Sequence, residues 1–418
     1  MAIETAFTIE FGNLSAQYNI TSQVQSFYVT SQCNLAEIGT STGAMTIKNF
    51  TGSFTPNGGG TYENIDWFNQ AVFINGTTTV SGIPTAFKLF HGIISKFELT
   101  DNGTTSTVTI SFIDAFSAGG RSETTDTQTY LATASEAVEF FYENVVPSRP
   151  AIMPTLGGTN TGYVCQVDLL TDNFDTYSSV ADVGTSVNET IQTLITPVGP
   201  SMLMPTTIAL VSPTFSIQLL DYTMTRNAAN RTTFIFKDST VSGTELPFET
   251  LRTGYEDSKL TNNIEVIDVS SAISITDFNA TSTTKYGQRF RSYGQVGFYT
   301  GTQMRNTASS WVERFGEIVF APISLTFTST QMQSAANAAE PFYNKLLNIS
   351  TAMWQPAEIT YTPTGCPEQT ILALIKGRQI SATPAQAVIT LDLVPAAQYQ
   401  SFILNDQYLG LLDQNRVA

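Results

Sequence analysis

The chain has 418 residues, of which 42% are hydrophobic, 11% aromatic and only 13% charged. Average soluble proteins carry about 25% charged residues, so polarity here rests on Thr, Ser, Asn and Gln, a composition that suits pleated sheets and excludes disorder as the main state. With 19 Lys and Arg against 35 Asp and Glu, the net charge is −16, which removes the basic face a phosphate-gripping protein needs.

Strands dominate in chain order. Met45 and Ile47 alternate with Thr46 and Lys48, and Val108, Ile110 and Phe112 with Thr109 and Ser111. Phe215, Ile217 and Leu219 follow the same rule, as do Ile323, Leu325 and Phe327, and then Ile389, Leu391 and Leu393. Period-two alternation marks half-buried strands. Turn signals stand at Asn57-Gly58-Gly59-Gly60, Asn75-Gly76 and Asp101-Asn102-Gly103.

A few helices interrupt. Capping boxes at Thr133–Glu136 and Ser186–Glu189 open helices that stop before Pro147 and Pro197. A third helix is expected over 308–315, with Trp311, Val312 and Phe315 on one stripe, and a fourth over 335–347 with Pro341 in its first turn.

The pattern predicts a mainly β chain with minor α in three regions: 1–122 nearly all strand, a mixed α+β middle over 123–258, and strands again over 259–418. One internal echo links the ends. Gly92-Ile93-Ile94-Ser95, a turn and Thr107–Asp114 resemble Gly377-Arg378-Gln379-Ile380-Ser381, a turn at Thr383-Pro384 and Ala387–Leu393. A true repeat would give two copies of one β domain around a different middle.

Chemistry is sparse. The single histidine, His91, sits on a strand entering Gly92, and no G-x-S-x-G elbow supports a nucleophile. Carboxylates at helical spacing (Glu136 with Glu139 or Glu143, Glu313 with Glu317) could serve glycoside hydrolysis; solvated surface is the competing use. Asp114 and Asp392 are expected to bond turn amides. Gly58-Gly59-Gly60 lacks the Lys and Ser/Thr of a phosphate loop and reads as a hairpin loop. Cys33, Cys165 and Cys366 are too scattered for a metal site or disulfide framework and are expected as free buried thiols. The N-terminus shows no basic, apolar leader, and nowhere do about 18 apolar residues run together, so no membrane insertion is expected. No catalytic, cofactor-binding or metal-binding residue is assigned and no cofactor is expected.

Several ordered motifs resemble those of tailed-phage minor tail and baseplate hub (tail-tip) proteins. Gly43–Pro56 is similar to their opening strand that leads to an Asn, a Gly, an aromatic and a Pro. Leu89-Phe90-His91-Gly92-Ile93-Ile94 is similar to their Phe-x-Gly-x-Ile strand, with the hairpin closing at Asp114. Asn262–Val266, Tyr286–Arg289, the 311–315 helix, Ile323–Leu325, Phe402–Asn405 and Leu411–Asp413 continue the resemblance. It implies two tube-type β-barrel-like domains flanking the α+β middle region. It also implies a homotrimer of pseudo-sixfold symmetry docking on a sixfold tail tube or distal tail protein. The remaining implied partners are a central spike or fibre, or a tape-measure protein. DNA would pass the lumen without specific binding, in a virion component assembled in the host cytoplasm. Low charge fits buried ring edges. Two readings remain beside this structural one: a receptor- or glycan-binding tail protein, with Trp67 and Trp354 as candidate platforms, and an envelope-glycan hydrolase.

Overall fold

The computed structural model describes residues 3–12, 17–32, 40–114, 128–132, 163–167, 177–181, 201–207, 215–221, 232–239, 241–268, 272–295, 301–348, 352–383 and 386–399. The helices expected at 133 and 186, and the motifs at 402–413, lie outside these residues.

The first half supplies β1 (Ile3–Gly12), β2 (Gln17–Asn19), β3 (Val24–Gln32), β4 (Thr40–Lys48), β5 (Ala71–Val80), β6 (Ile83–Asp101) and β7 (Ser106–Asp114). Five strands follow in two small sheets: β8 (Gln128–Ala132) pairs with β10 (Tyr177–Ala181), and β12 (Phe215–Asp221) lies between β9 (Tyr163–Val167) and β11 (Ser201–Thr207). The second half opens with β13 (Phe234–Lys237), β14 (Leu246–Pro247) and β15 (Thr250–Tyr255). An excursion then carries β16 (Asn263–Asp268), β17 (Ile273–Phe278), α1 (Ala280–Tyr286), β18 (Phe290–Gln295) and α2 (Gly301–Phe315). The chain returns as β19 (Phe320–Thr328), α3 (Ser329–Met332), α4 (Glu340–Leu347), β20 (Pro356–Tyr361), β21 (Gln369–Ala382), β22 (Ala387–Pro395) and α5 (Ala396–Tyr399).

Strand order reveals a repeat. The first half runs β3-β4-β7-β6-β5-β1-β2, and the second β15-β19-β22-β21-β20-β13-β14. Numbered within each half, both read 3-4-7-6-5-1-2. Four successive pairings are antiparallel in each: β3–β4, β4–β7, β7–β6 and β6–β5 against β15–β19, β19–β22, β22–β21 and β21–β20. The copies differ at the first strand, since β1 is antiparallel to β5 whereas β13 is parallel to β20.

The landmark shared by the copies is a β-bulge. In β6, Ile94 faces Phe112 and, after the register shift, Lys96 faces Ser111. In β21, Ile375 faces Leu393 and Gly377 then faces Asp392. Upstream of the bulge, Ile94 N–H donates to Gln70 O at 3.1 Å, and Ile375 N–H donates to Gln355 O at 3.2 Å. Lys96–Asp101 is therefore the counterpart of Gly377–Ala382. The glycines aligned in the sequence echo are not equivalent: Gly92 lies four residues before the counterpart of Gly377. β13, β14 and β15, within the 123–258 range, hydrogen-bond into the sheet of the second half.

Both halves bury their inward faces in one continuous apolar cluster, from Ile9, Met45 and Phe112 to Phe236, Leu325 and Leu391. The excursion has its own small core, in which Met304, Ala308 and Val312 of α2 cover Ile264 and Val266; the spacing of four puts these three on one helix face. Two local expectations fail. Asn75-Gly76 lies inside β5, not at a turn, and a Cβ on Gly76 would stand 2.0 Å from the Phe87 ring, so the glycine serves close packing. Ile323 is 40% exposed, because the β15–β19 register shifts beside it. Pro341 does fall in the first turn of α4, where its missing N–H costs nothing.

Candidate functional site

Among the described residues, two of the carboxylates considered, Glu317 and Asp392, line one cavity of about 170 Å³ together with Glu256, Lys259 and Lys376, whereas His91, Asp114 and Glu313 do not line it. His91 is buried against Phe73 with ring centroids 4.1 Å apart. Burial first, and the Lys88 charge second, hold its pKa down at about 3, so the ring is neutral at physiological pH. Asp114 accepts a hydrogen bond from the Ser41 N–H, a strand amide. Asp392 lies within β22 and accepts from Gln32 Nε2 at 3.5 Å. Glu313 is exposed, and Glu317 accepts from Tyr286 Oη at 3.1 Å and Lys285 Nζ at 3.3 Å. Glu136, Glu139 and Glu143 lie outside the described residues. Gly58-Gly59-Gly60 forms turns between β4 and β5, where Gly59 N–H donates to Glu63 Oε2 at 2.6 Å. These two strands do not pair, so the segment is a connection and not a hairpin loop.

The densest group of cations in the sequence, Lys285, Arg289 and Arg291, is spent on neighbours: Lys285 contacts Glu317 at 3.3 Å, Arg289 contacts Asp257 at 3.5 Å, and the Arg291 guanidinium lies 5.1 Å from the Trp311 ring centroid. Trp67 and Trp354 are buried, which takes them away from any sugar platform. Cys366 is exposed, because it sits in a turn where its N–H donates to Pro363 O at 2.9 Å; the buried thiol expected there is not found. The side chains of Cys33 and Cys165 lie outside the described residues. Among the described residues no group of three or more His, Cys, Asp or Glu could hold a metal ion, and no helix is long and apolar enough to cross a membrane.

The arrangement that stands out is the seam between the halves. β3 runs antiparallel to the distal part of β21, pairing Gln32 with Gly377 through Phe27 with Ala382. One edge of β21 thus serves two strands in succession, β20 before the bulge and β3 after it. Arg378, 1% exposed, anchors this seam. Its guanidinium donates to Leu346 O at 3.1 Å and to Leu347 O, and across the seam to Leu89 O at 3.0 Å. Burial without a carboxylate lowers its pKa to about 9, which still leaves a cation at neutral pH. Two of these three carbonyls, those of Leu346 and Leu347, belong to the last turn of α4, whose dipole favours a positive charge. The same helix reaches the first half through Tyr343, whose hydroxyl accepts from Thr5 Oγ1 at 3.3 Å, and through Glu340, which accepts from Thr78 Oγ1 at 2.8 Å. A cavity of about 260 Å³ remains between Phe7, Val24 and Phe27 of the first half and Ala382 and Ala387 of the second.

Sequence reading missed the seam and Arg378. Strand pairing between residues more than 300 positions apart has no local signature, and Gly377-Arg378-Gln379 looks like an ordinary half-exposed strand. The usable signal was the echo itself, once anchored on the bulge.

No family profile matches the chain, and no curated protein matches it. Solved structures do. A tail protein from Neisseria meningitidis MC58 superposes with a TM-score of 0.52 at 10% identity, over 94% of this chain and 98% of that one. The 43 kDa tail protein of prophage MuSo2 from Shewanella oneidensis gives 0.51 at 11% identity, over 94% and 100%. The chain has the fold of phage tail proteins. A chain of the Francisella PdpA–VgrG complex, in its lidded form, gives 0.50 at 9% identity, with 97% of this chain spanning 55% of that one.

Proposed function

We propose that the chain is a structural, non-enzymatic virion component: a tail-tip or baseplate hub that caps or extends the sixfold tail tube. Three copies form a ring, and the two β frames of each supply six similar lobes. The observation that carries this reading is the repeated strand order joined edge to edge at the β3–β21 seam. A chain holding two like units needs only threefold association to present six units to a sixfold partner. The tail-protein fold supports the setting in a phage tail. Partners on this reading are a tail tube or distal tail protein on one side and a spike, fibre or tape-measure protein on the other. With a net charge of −16, an acidic lumen would repel DNA and let it slide through during ejection.

Mass photometry and negative-stain imaging of the full chain test this. The expected result is a three-chain particle with six lobes around a hole; a strictly monomeric particle overturns it. A lumen that maps as basic in the assembled ring ends the DNA-sliding part alone.

A further inference from the structure

The internal seam has an unused counterpart. Inside the chain, the third strand of one frame (β3) docks on the post-bulge stretch of the sixth strand of the other (β21). The reciprocal pair is β15, third strand of the second frame, and Lys96–Asp101, the post-bulge stretch of β6. Among the described residues, β15 pairs with no strand but β19, and Lys96–Asp101 with no strand but β7. Among the described residues both are therefore open edges, which sheets seldom leave exposed without a use.

We infer that these two edges close on each other between copies: Leu251–Glu256 of one chain adds antiparallel to Lys96–Asp101 of the next. This deepens, and rests on, the ring proposed above. The register follows from equivalence. Met45 pairs with Phe27 and Ile110, and Leu325 pairs with Leu251 and Leu391, so Leu251 takes the place of Phe27. The seam pairing of Ala382 with Phe27 then becomes Asp101 with Leu251, followed by Thr100 with Arg252, Leu99 with Thr253, Glu98 with Gly254, Phe97 with Tyr255 and Lys96 with Glu256.

The side chains suit that register. On one face it sets Glu256 opposite Lys96, and Arg252 and Glu256 on the two diagonals of Glu98, so that Lys96 and Arg252 alternate with Glu98 and Glu256 within cross-strand reach; in the single chain Lys96 pairs with Glu98 at 2.8 Å. On the other face Tyr255, 73% exposed in the single chain, meets Phe97, and Thr253 meets Leu99. The counterpart of Tyr255 at the internal seam is Ser31, which is only 1% exposed, so the partner strand would cover the tyrosine in the same way. A register slipped by one residue would put Arg252 and Glu256 on the apolar face.

Disulfide trapping tests the pairing in the full chain with Cys33, Cys165 and Cys366 replaced by Ser. Directly opposite strand residues lie close enough for a disulfide. Thr100→Cys with Arg252→Cys, both at exposed positions, should give on mild oxidation a covalent ladder that ends at three chains. Each single variant should give none of the trimer band, and Thr100→Cys with Thr253→Cys, whose side chains fall on opposite faces, should give none either. Tyr28→Cys with Ser381→Cys, the matching pair at the internal seam, should close within one chain and so verifies the oxidation. A three-chain particle by mass photometry without the 100–252 link overturns the edge pairing and leaves the ring standing. A monomer at every concentration overturns both.

Discussion

Phe97 and Arg378 occupy the same place in the two frames, and nearly everything around them differs. Phe97 stacks on Trp67 with centroids 4.8 Å apart, in an aromatic cluster that also holds Phe11, Tyr18, Phe54 and Tyr62. Arg378 instead meets the end of α4 and a carbonyl of the other half. One frame is stabilised from within by rings; the other is tied to its neighbour by a buried cation. Strand order and the bulge are therefore the common scaffold, and the filling between strands 4 and 5 decides whether a frame stands alone or clasps another.

The clasp should be the most sensitive point. Arg378→Met leaves three buried carbonyls without their donor and is expected to lower stability by about 4 kcal/mol in urea titration. Hydrogen exchange should quicken in both halves, at Leu89 and around Leu346. Trp67→Ala is expected to cost about 3–5 kcal/mol, with exchange quickened in the first half only; equal loosening of both halves would mean that the rings also support the seam.

Acid should enter through the first half, where the only histidine lies. His91 has a pKa of about 3 when folded against 6.5 as its ordinary value, so between those values the unfolded chain binds more protons. Its contribution is complete above about pH 6.5 and is lost as pH falls towards 3. By pH 4.5 the loss is about 3 kcal/mol. His91→Phe should flatten that slope in thermal melts taken from pH 7 to pH 4.5.

The smallest effect on the fold should come from the open edge. Arg252→Glu is expected to change single-chain stability by no more than about 0.5 kcal/mol. It should nevertheless weaken assembly in sedimentation velocity, because it places like charges next to Glu98. Unchanged assembly would argue that the two edges do not meet.

Much of the frame could be read from the chain. Alternation located β4, β7, β19 and β22, because each has one face in the core, and the Asp101-Asn102-Gly103 turn lies where Gly103 adopts a φ of 81°. Asn75-Gly76 misled because the same dipeptide that favours a hairpin turn also supplies the bare backbone that Phe87 packs against. The echo was visible but aligned on glycines, whereas the bulge sets the phase, and a bulge leaves no residue signature of its own. Arg378 was illegible because burial of a cation is decided by the carbonyls that surround it, and those come from segments distant in sequence. Of the described residues weighed for catalysis, Glu317 and Asp392 share a cavity, but each already bonds a neighbouring element, Glu317 to Tyr286 and Lys285 and Asp392 to Gln32.

Where the first half passes from β3 to β4 through residues 33–39, the second passes from β15 to β19 through residues 256–319. The closing cost of a flexible link grows only with the logarithm of its length, so the frame accepts a detour of either size at that point without changing its strand count. In the assembly proposed above, the strands keep to what a sixfold neighbour requires, while the chain can gain or lose a whole module at this one socket.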